Sequence, residues 1–178
     1  RNWRRMLEHY DTYDTSDFTA PGFPWMLQIE PTNMCNLSCP LCPAGRKDEL
    51  DRTRRHMSMK EFKSIIDDMK QYLLIVVLWD WGEPFMNPEL PEMIKYASEQ
   101  GISAVTSTNG HFLHNKKYVE RILTSGLETL IIAIDSLVEK NYLTYRKGGN
   151  LAKVVSGLEN LVLQKKRLKS KTVINLRM

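Results

Sequence analysis

Apolar residues recur along this chain in two alternating patterns, short unbroken runs and stripes at helical spacing. Residues 73–79 form an apolar run rich in β-branched side chains, as expected of a strand buried on both faces of a parallel sheet. Shorter runs at 26–30, 102–107, 130–134 and 172–176 predict four more strands. Helical stripes lie between them. Ser58-Met-Lys-Glu61 has the form of a capping box, and Phe62, Ile65, Ile66 and Met69 follow it at helical spacing. Asn87-Pro88 offers a cap and a first-turn proline to a helix with Leu90, Met93, Ile94 and Ala97 on one side, which Gly101 stops. Asn115 opens a helix through Val119, Ile122 and Leu123 that Gly126 ends. Asn150 caps a longer one, striped by Leu151, Val154, Val155, Leu158, Leu161 and Val162.

Strand and helix alternate throughout, and no hairpin signal interrupts them. Successive strands joined through helices run parallel, with right-handed crossovers. A complete eightfold barrel takes roughly 250 residues, whereas about four and a half βα units fit here before Met178. The expected fold is α/β, an incomplete parallel (β/α) barrel cut short after about its fifth strand. It occupies 24–178, behind an N-terminal extension at 1–23 that lacks an initiator Met and reads as a truncation. The last strand is expected to present an unpaired apolar edge, which a sixth strand and its helix would cover.

Composition narrows the function classes. The 178 residues are 42% hydrophobic and 26% charged, an ordinary globular balance. The longest apolar run falls far short of the roughly 20 residues of a membrane helix, and no signal peptide pattern opens the chain. A net charge of +4 names no partner. Basic residues gather at 46–55 and 165–171, where solvated surface is the reading; charge gives no indication of nucleic-acid binding. Cysteine usage says more. All three cysteines fall between Cys35 and Cys42. An odd count excludes a closed disulfide framework, and a cytoplasmic location is expected.

Cys35-Asn-Leu-Ser-Cys39-Pro-Leu-Cys42 has the spacing C-x₃-C-x₂-C. Thiolates hold iron–sulfur clusters, normally four to a [4Fe–4S] cube. Three thiols with no fourth Cys would leave one iron without a protein ligand, the open position that a catalytic metal site keeps. Two alternatives stand beside it. One is zinc, with a fourth ligand from a distant residue such as His56 or His111. The other is a purely structural role for the thiols.

The C-x₃-C-x₂-C loop after a first strand resembles the radical S-adenosylmethionine (SAM) superfamily. Trp81-Gly82-Glu83-Pro84 after the second predicted strand is similar to that family's GGEP motif. Thr108-Asn109-Gly110 after the third matches its TNG signature, and Asp135 after the fourth stands at its Ser-x-Asp-Gly position. Tyr145-Arg146 follows in the next loop. The Cys loop, Gly82-Glu83-Pro84, Thr108-Asn109-Gly110 and Asp135 fall at the C-terminal ends of successive predicted strands, the face where such barrels place active sites. The capping-box segment and the stretch from Tyr145 to Leu163 are similar to the subgroup that carries a SPASM or twitch domain.

The resemblance implies a six-stranded (β/α)₆ barrel and two cofactors, a [4Fe–4S] cluster and SAM. Cys35, Cys39 and Cys42 would bind three irons, and SAM would chelate the fourth. Leu41 would give adenine an apolar contact, and the Gly82-Glu83-Pro84 turn would receive the SAM amino group. Thr108 and Asn109 would lie near ribose or substrate, Asp135 would hold the ribose hydroxyls, and Arg146 would pair with the SAM carboxylate through its planar fork. Trp81 replaces the family's first glycine, and Ala133 replaces its serine. The implied reaction is reductive cleavage of SAM to a 5′-deoxyadenosyl radical that abstracts hydrogen. A reducing partner such as a flavodoxin or ferredoxin would supply the electron. The subgroup implies a peptide or protein substrate; a small molecule, or a metal-binding module without radical chemistry, are the alternatives. His111 and His114 read as surface or cap residues, and one of Trp79 and Trp81 is expected to face the barrel mouth.

Overall fold

The computed structural model describes residues 23–46 and 52–178, together with Arg4. The 1–23 extension therefore lies almost wholly outside the described residues, as does the middle of the basic stretch at 46–55. Five strands form one sheet: β1 (Met26–Gln28), β2 (Ile75–Leu78), β3 (Ser103–Thr108), β4 (Thr129–Ala133) and β5 (Val173–Arg177). They lie in chain order, and every neighbouring pair is parallel. The connections carry α1 (Met59–Met69), α2 (Leu90–Glu99), α3 (Lys116–Thr124), α4 (Glu139–Tyr145) and α5 (Leu151–Leu168). The expected α/β incomplete barrel is thus the architecture found, a parallel sheet that does not close.

Capping works largely as the sequence predicts. Ser58 and Glu61 complete a reciprocal capping box on α1. Asn115 accepts the N–H of Tyr118, and Asn150 that of Lys153, at the starts of α3 and α5. Asn87 departs from its expected role. The helix begins at Leu90, with Pro91 in its first turn and no side-chain cap. Asn87 is fully buried and donates instead to the carbonyls of Pro31 and Met57. Its Oδ1 accepts the N–H of Glu89 at 2.9 Å, so the side chain is satisfied at both ends one residue ahead of the helix.

One face of the sheet carries the core. Val76 and Leu78 of β2, Ala104 of β3 and Leu130 and Ile132 of β4 are fully buried against Phe62 and Ile66, Met93 and Ile94, Val119 and Ile122, and Val154 and Leu161. Full burial of each Val, Leu, Ile, Phe or Met among them contributes about 1.5–3 kcal/mol relative to exposure. The opposite face is different. Ile75 and Val77 are only half-buried, and Val173, Asn175 and Arg177 on β5 are exposed. The expectation that β2 is buried on both faces is corrected here. Alternation sends every second side chain towards this opposite face, where most are only partly covered; Ile131 of β4 is the buried exception. At the free edge, Val173 and Leu176 each keep about half their surface in solvent, 52% and 51%.

Candidate functional site

The loops that follow β1 to β4 meet at one end of the sheet. The Cys loop is a chain of tight turns. Cys42 N–H donates to the Cys39 carbonyl, and Gly45 and Arg46 both donate to the Cys42 carbonyl. A side chain at position 45 would place its Cβ 2.5 Å from the Cys39 carbonyl oxygen, so only glycine lets the loop fold back on itself. Buried Leu37 anchors the loop below, and Ser38 N–H reaches the Lys147 carbonyl at 2.9 Å.

The turn after β2 is fixed against the same loop. Glu30 accepts the N–H groups of Trp81 and Gly82 on one carboxylate oxygen, while Arg52 pairs with the other at 2.9 Å. A Cβ at Gly82 would lie 1.8 Å from the Thr32 carbonyl oxygen, and Glu83 N–H donates to Met34 O at 2.8 Å. Glycine at 82 is there for close approach to the preceding backbone. The Glu83 side chain turns inward. It is buried and accepts from Thr108 Oγ1 and Asn109 N–H, each at 2.7 Å, and from Phe85 N–H at 3.1 Å. Burial pushes its carboxyl up to about 7, against these three donors, which pull it down.

Beyond β4 the chain is strained. Asp135 adopts a φ of 67°, unusual for a residue with a Cβ. Its carboxylate meets Arg146 Nε at 2.6 Å, and the guanidinium lies 5.7 Å from the centre of the Tyr145 ring. Arg146 also faces Cys39. Burial raises the Cys39 thiol above its ordinary range, while the charge and hydrogen bond of Arg146 act downward. Cys35 is pushed up to about 11, mainly by burial, with the Leu37 N–H opposing. Cys42 Sγ points at the Trp81 carbonyl, 3.6 Å away.

These pieces enclose a cavity of about 210 Å³. Cys35, Cys39, Cys42 and Arg146 line it together with Gly82, Glu83, Pro84, Thr108 and Asn109. Two predicted residues stand apart from that wall. Leu41 is 76% exposed on the outside of the Cys loop, and Asp135 sits behind Arg146. Both Trp79 and Trp81 reach the cavity, where one was expected. Tyr145, the neighbour of Arg146 in its motif, also lines it, as do Ser107 and Asp80, which carry no motif signal. Glu30 and Asn36 were missed because their partners lie dozens of residues away, at Trp81 and Asn109.

The donor set suits a cluster better than a single ion. Among the described residues, no three His, Cys, Asp or Glu side chains converge on one metal position. Zinc requires such convergence, whereas in a cube each thiolate takes its own iron. Neither histidine completes a zinc site. His56 does not line the cavity with the thiols, and both nitrogens of buried His111 are engaged, with Asn109 and Asn150. Its contact with Asn150 makes His111 a cap of the α5 entry, buried rather than on the surface.

Comparison with known proteins agrees with this geometry. The chain is 33% identical over 129 residues to Fe-coproporphyrin III synthase of Methanosarcina barkeri, across 72% of this chain and 32% of that one. It is 29% identical over 140 residues to mycofactocin maturase MftC of Mycobacterium ulcerans, across 78% and 36%. The chain thus spans about a third of the length of these relatives. The crystal structure of Streptococcus suis SuiB bound to S-adenosylmethionine shares the fold, with a TM-score of 0.68 at 22% identity over 86% of this chain and 34% of that one. Residues 29–175 match the family model itself, and the chain belongs to the radical SAM superfamily, enzymes whose cofactors are a [4Fe–4S] cluster and S-adenosylmethionine.

Proposed function

We propose that Cys35, Cys39 and Cys42 hold the [4Fe–4S] cluster with one iron left open, and that SAM binds in the same cavity. The observation behind this is the shared wall, which brings three thiols, the Gly82-Glu83-Pro84 turn and a held guanidinium together. With both cofactors bound and one electron supplied, such a site yields a 5′-deoxyadenosyl radical that abstracts hydrogen from a substrate carbon.

The chain's own residues position and shield that chemistry. Arg146 pairs with the SAM carboxylate; Asp135 holds Nε, and the rest of the fork turns to the cavity side, where it meets Cys39. The Trp81 carbonyl, aimed at Cys42, is an acceptor for the SAM amino group beside Gly82 and Pro84. Beyond the cavity wall, exposed Leu41 offers an apolar contact to the adenine end of SAM, and Asp135, which binds Arg146 through one carboxylate oxygen, offers the other to ribose. Glu83 and Thr108 bond to each other, so they shape the wall rather than grip the ligand.

A peptide or protein is the favoured substrate class, supported by likeness to a maturase. A small molecule is the second reading, supported by likeness to a synthase of Fe-coproporphyrin III. The electron comes from a flavodoxin or ferredoxin, and the setting is the cytoplasm, in keeping with free clustered thiols. No helix among the described residues is long and apolar enough to cross a membrane. Anaerobic reconstitution of the protein tests the ligand assignment. About four irons per chain should bind and should be lost on Cys39→Ala. Colourless protein with one tightly bound zinc would refute it.

A further inference from the structure

Asn109 follows β3, and its side chain is held from both ends. His111 supplies two contacts to Oδ1, from its backbone N–H at 3.1 Å and from ring Nδ1 at 3.0 Å. The far ring nitrogen, Nε2, faces the backbone N–H of Asn150 at 2.9 Å. A backbone N–H can only donate, so Nε2 is the acceptor and a neutral ring carries its proton on Nδ1. Burial favours that neutral ring by lowering the His111 pKa. With Oδ1 facing two donors, the carboxamide has one orientation. Nδ2 points the other way, to Asn36 Oδ1 at 2.9 Å and Cys35 Sγ at 3.9 Å, within the longer reach of a bond to sulfur. Leu37 N–H meets the same sulfur at 3.4 Å.

The three thiols are therefore unequal. Cys35 receives two N–H groups, Cys39 faces the Arg146 guanidinium, and Cys42 faces a carbonyl. We propose that Asn109, locked by His111, is a positioning residue whose Nδ2–H bonds to the Cys35 sulfur and raises the reduction potential of the cluster held there. The physical reason is charge. One-electron reduction adds negative charge to the cluster and its sulfurs, and a fixed N–H dipole stabilises the more negative state. Asn109 then serves the electron-transfer step, apart from any contact with ribose or substrate. The proposal rests on Cys35 being a cluster ligand.

Two measurements test it. In the cluster-free protein, ¹⁵N NMR of His111 should show Nδ1 protonated and Nε2 bare; the opposite tautomer would overturn the relay. In the reconstituted protein, dithionite supplies the electron and electron paramagnetic resonance follows the reduced cluster. Asn109→Leu should lower the ratio of reduced to oxidised cluster about tenfold at fixed potential, a shift of about 59 mV for one electron. His111→Phe, which releases the carboxamide, should shift it the same way by less. Both variants should retain their iron, since neither change removes a ligand. An unmoved midpoint in iron-replete Asn109→Leu would defeat this proposal alone. Wild-type protein that takes up no cluster would overturn the ligand assignment, and this proposal with it.

Discussion

Cys35 and Cys42 close the same loop, yet their surroundings are opposites. Around Cys35 the polar groups serve one another: Asn109 meets Asn36, His111 meets Asn150, and Glu83 takes three donors. Around Cys42 the polar groups are less densely paired and border the cavity. The Trp81 carbonyl faces the cavity, Leu41 is in solvent, and Arg146 is held through Nε. Saturated hydrogen bonding makes a rigid wall, because each buried group that lost its partner would cost about 1–3 kcal/mol. A ligand site needs the reverse, groups kept in place but unsatisfied until the ligand arrives. The motifs of this chain thus divide by role: the Glu83–Thr108–Asn109 corner builds, and the Cys42–Trp81–Arg146 side binds.

The largest test of that division is Gly82→Ala. A methyl group aimed at the Thr32 carbonyl forces two backbones apart, and about 3 kcal/mol of stability should be lost in urea denaturation. A loss below 1 kcal/mol would mean that the turn can move and the wall is soft. Next comes Arg146→Ala on the binding side. It should weaken SAM by about 1.5–3 kcal/mol in equilibrium binding, while stability changes less than affinity. Equal losses in both would place Arg146 with the builders.

The pH dependence of stability probes the building corner. The Glu83 carboxyl stands at about 7 in the folded chain against an ordinary 4.5. Between those values the folded state keeps a proton that the unfolded chain has released. Stability should therefore fall as pH rises from 4.5 to 7, by on the order of 1–3 kcal/mol. Glu83→Gln should remove that slope; a slope unchanged in the variant would trace to another group. The smallest effect belongs to Leu41→Ala. At 76% exposure it should alter stability by no more than about 0.5 kcal/mol, and SAM affinity by about 1 kcal/mol if adenine rests there.

The strand order and all three thiols are legible in the sequence because both are local signals. An apolar run, a cap or a Cys spacing is complete within a dozen residues. Even the departures have local causes: Leu73 and Leu74 extend the apolar run, but pairing begins at Ile75. The seven-residue α4 gave no stripe, since Tyr142 is its one buried residue. What the sequence hides is pairing at a distance. Nothing near Glu30 shows that it will receive Trp81 and Gly82, and nothing near His111 points to Asn150. Those contacts exist only once the sheet brings the loops to one end, which is also why a buried histidine reads as a surface one.

Because each strand pairs with the strand before it, the sheet can grow in step with synthesis. The Cys loop leaves the ribosome before the rest of the site, and Lys147, whose carbonyl takes the Ser38 N–H, follows roughly a hundred residues later. At about 5–20 residues per second, that delay lasts on the order of 5–20 s. During it three thiols stand beside a half-built wall, with neither Arg146 nor the Ser38–Lys147 bond in place. Thiols without those neighbours are open to oxidation and to metal ions, so the order of the strands sets how long the loop of a new molecule waits for its surroundings.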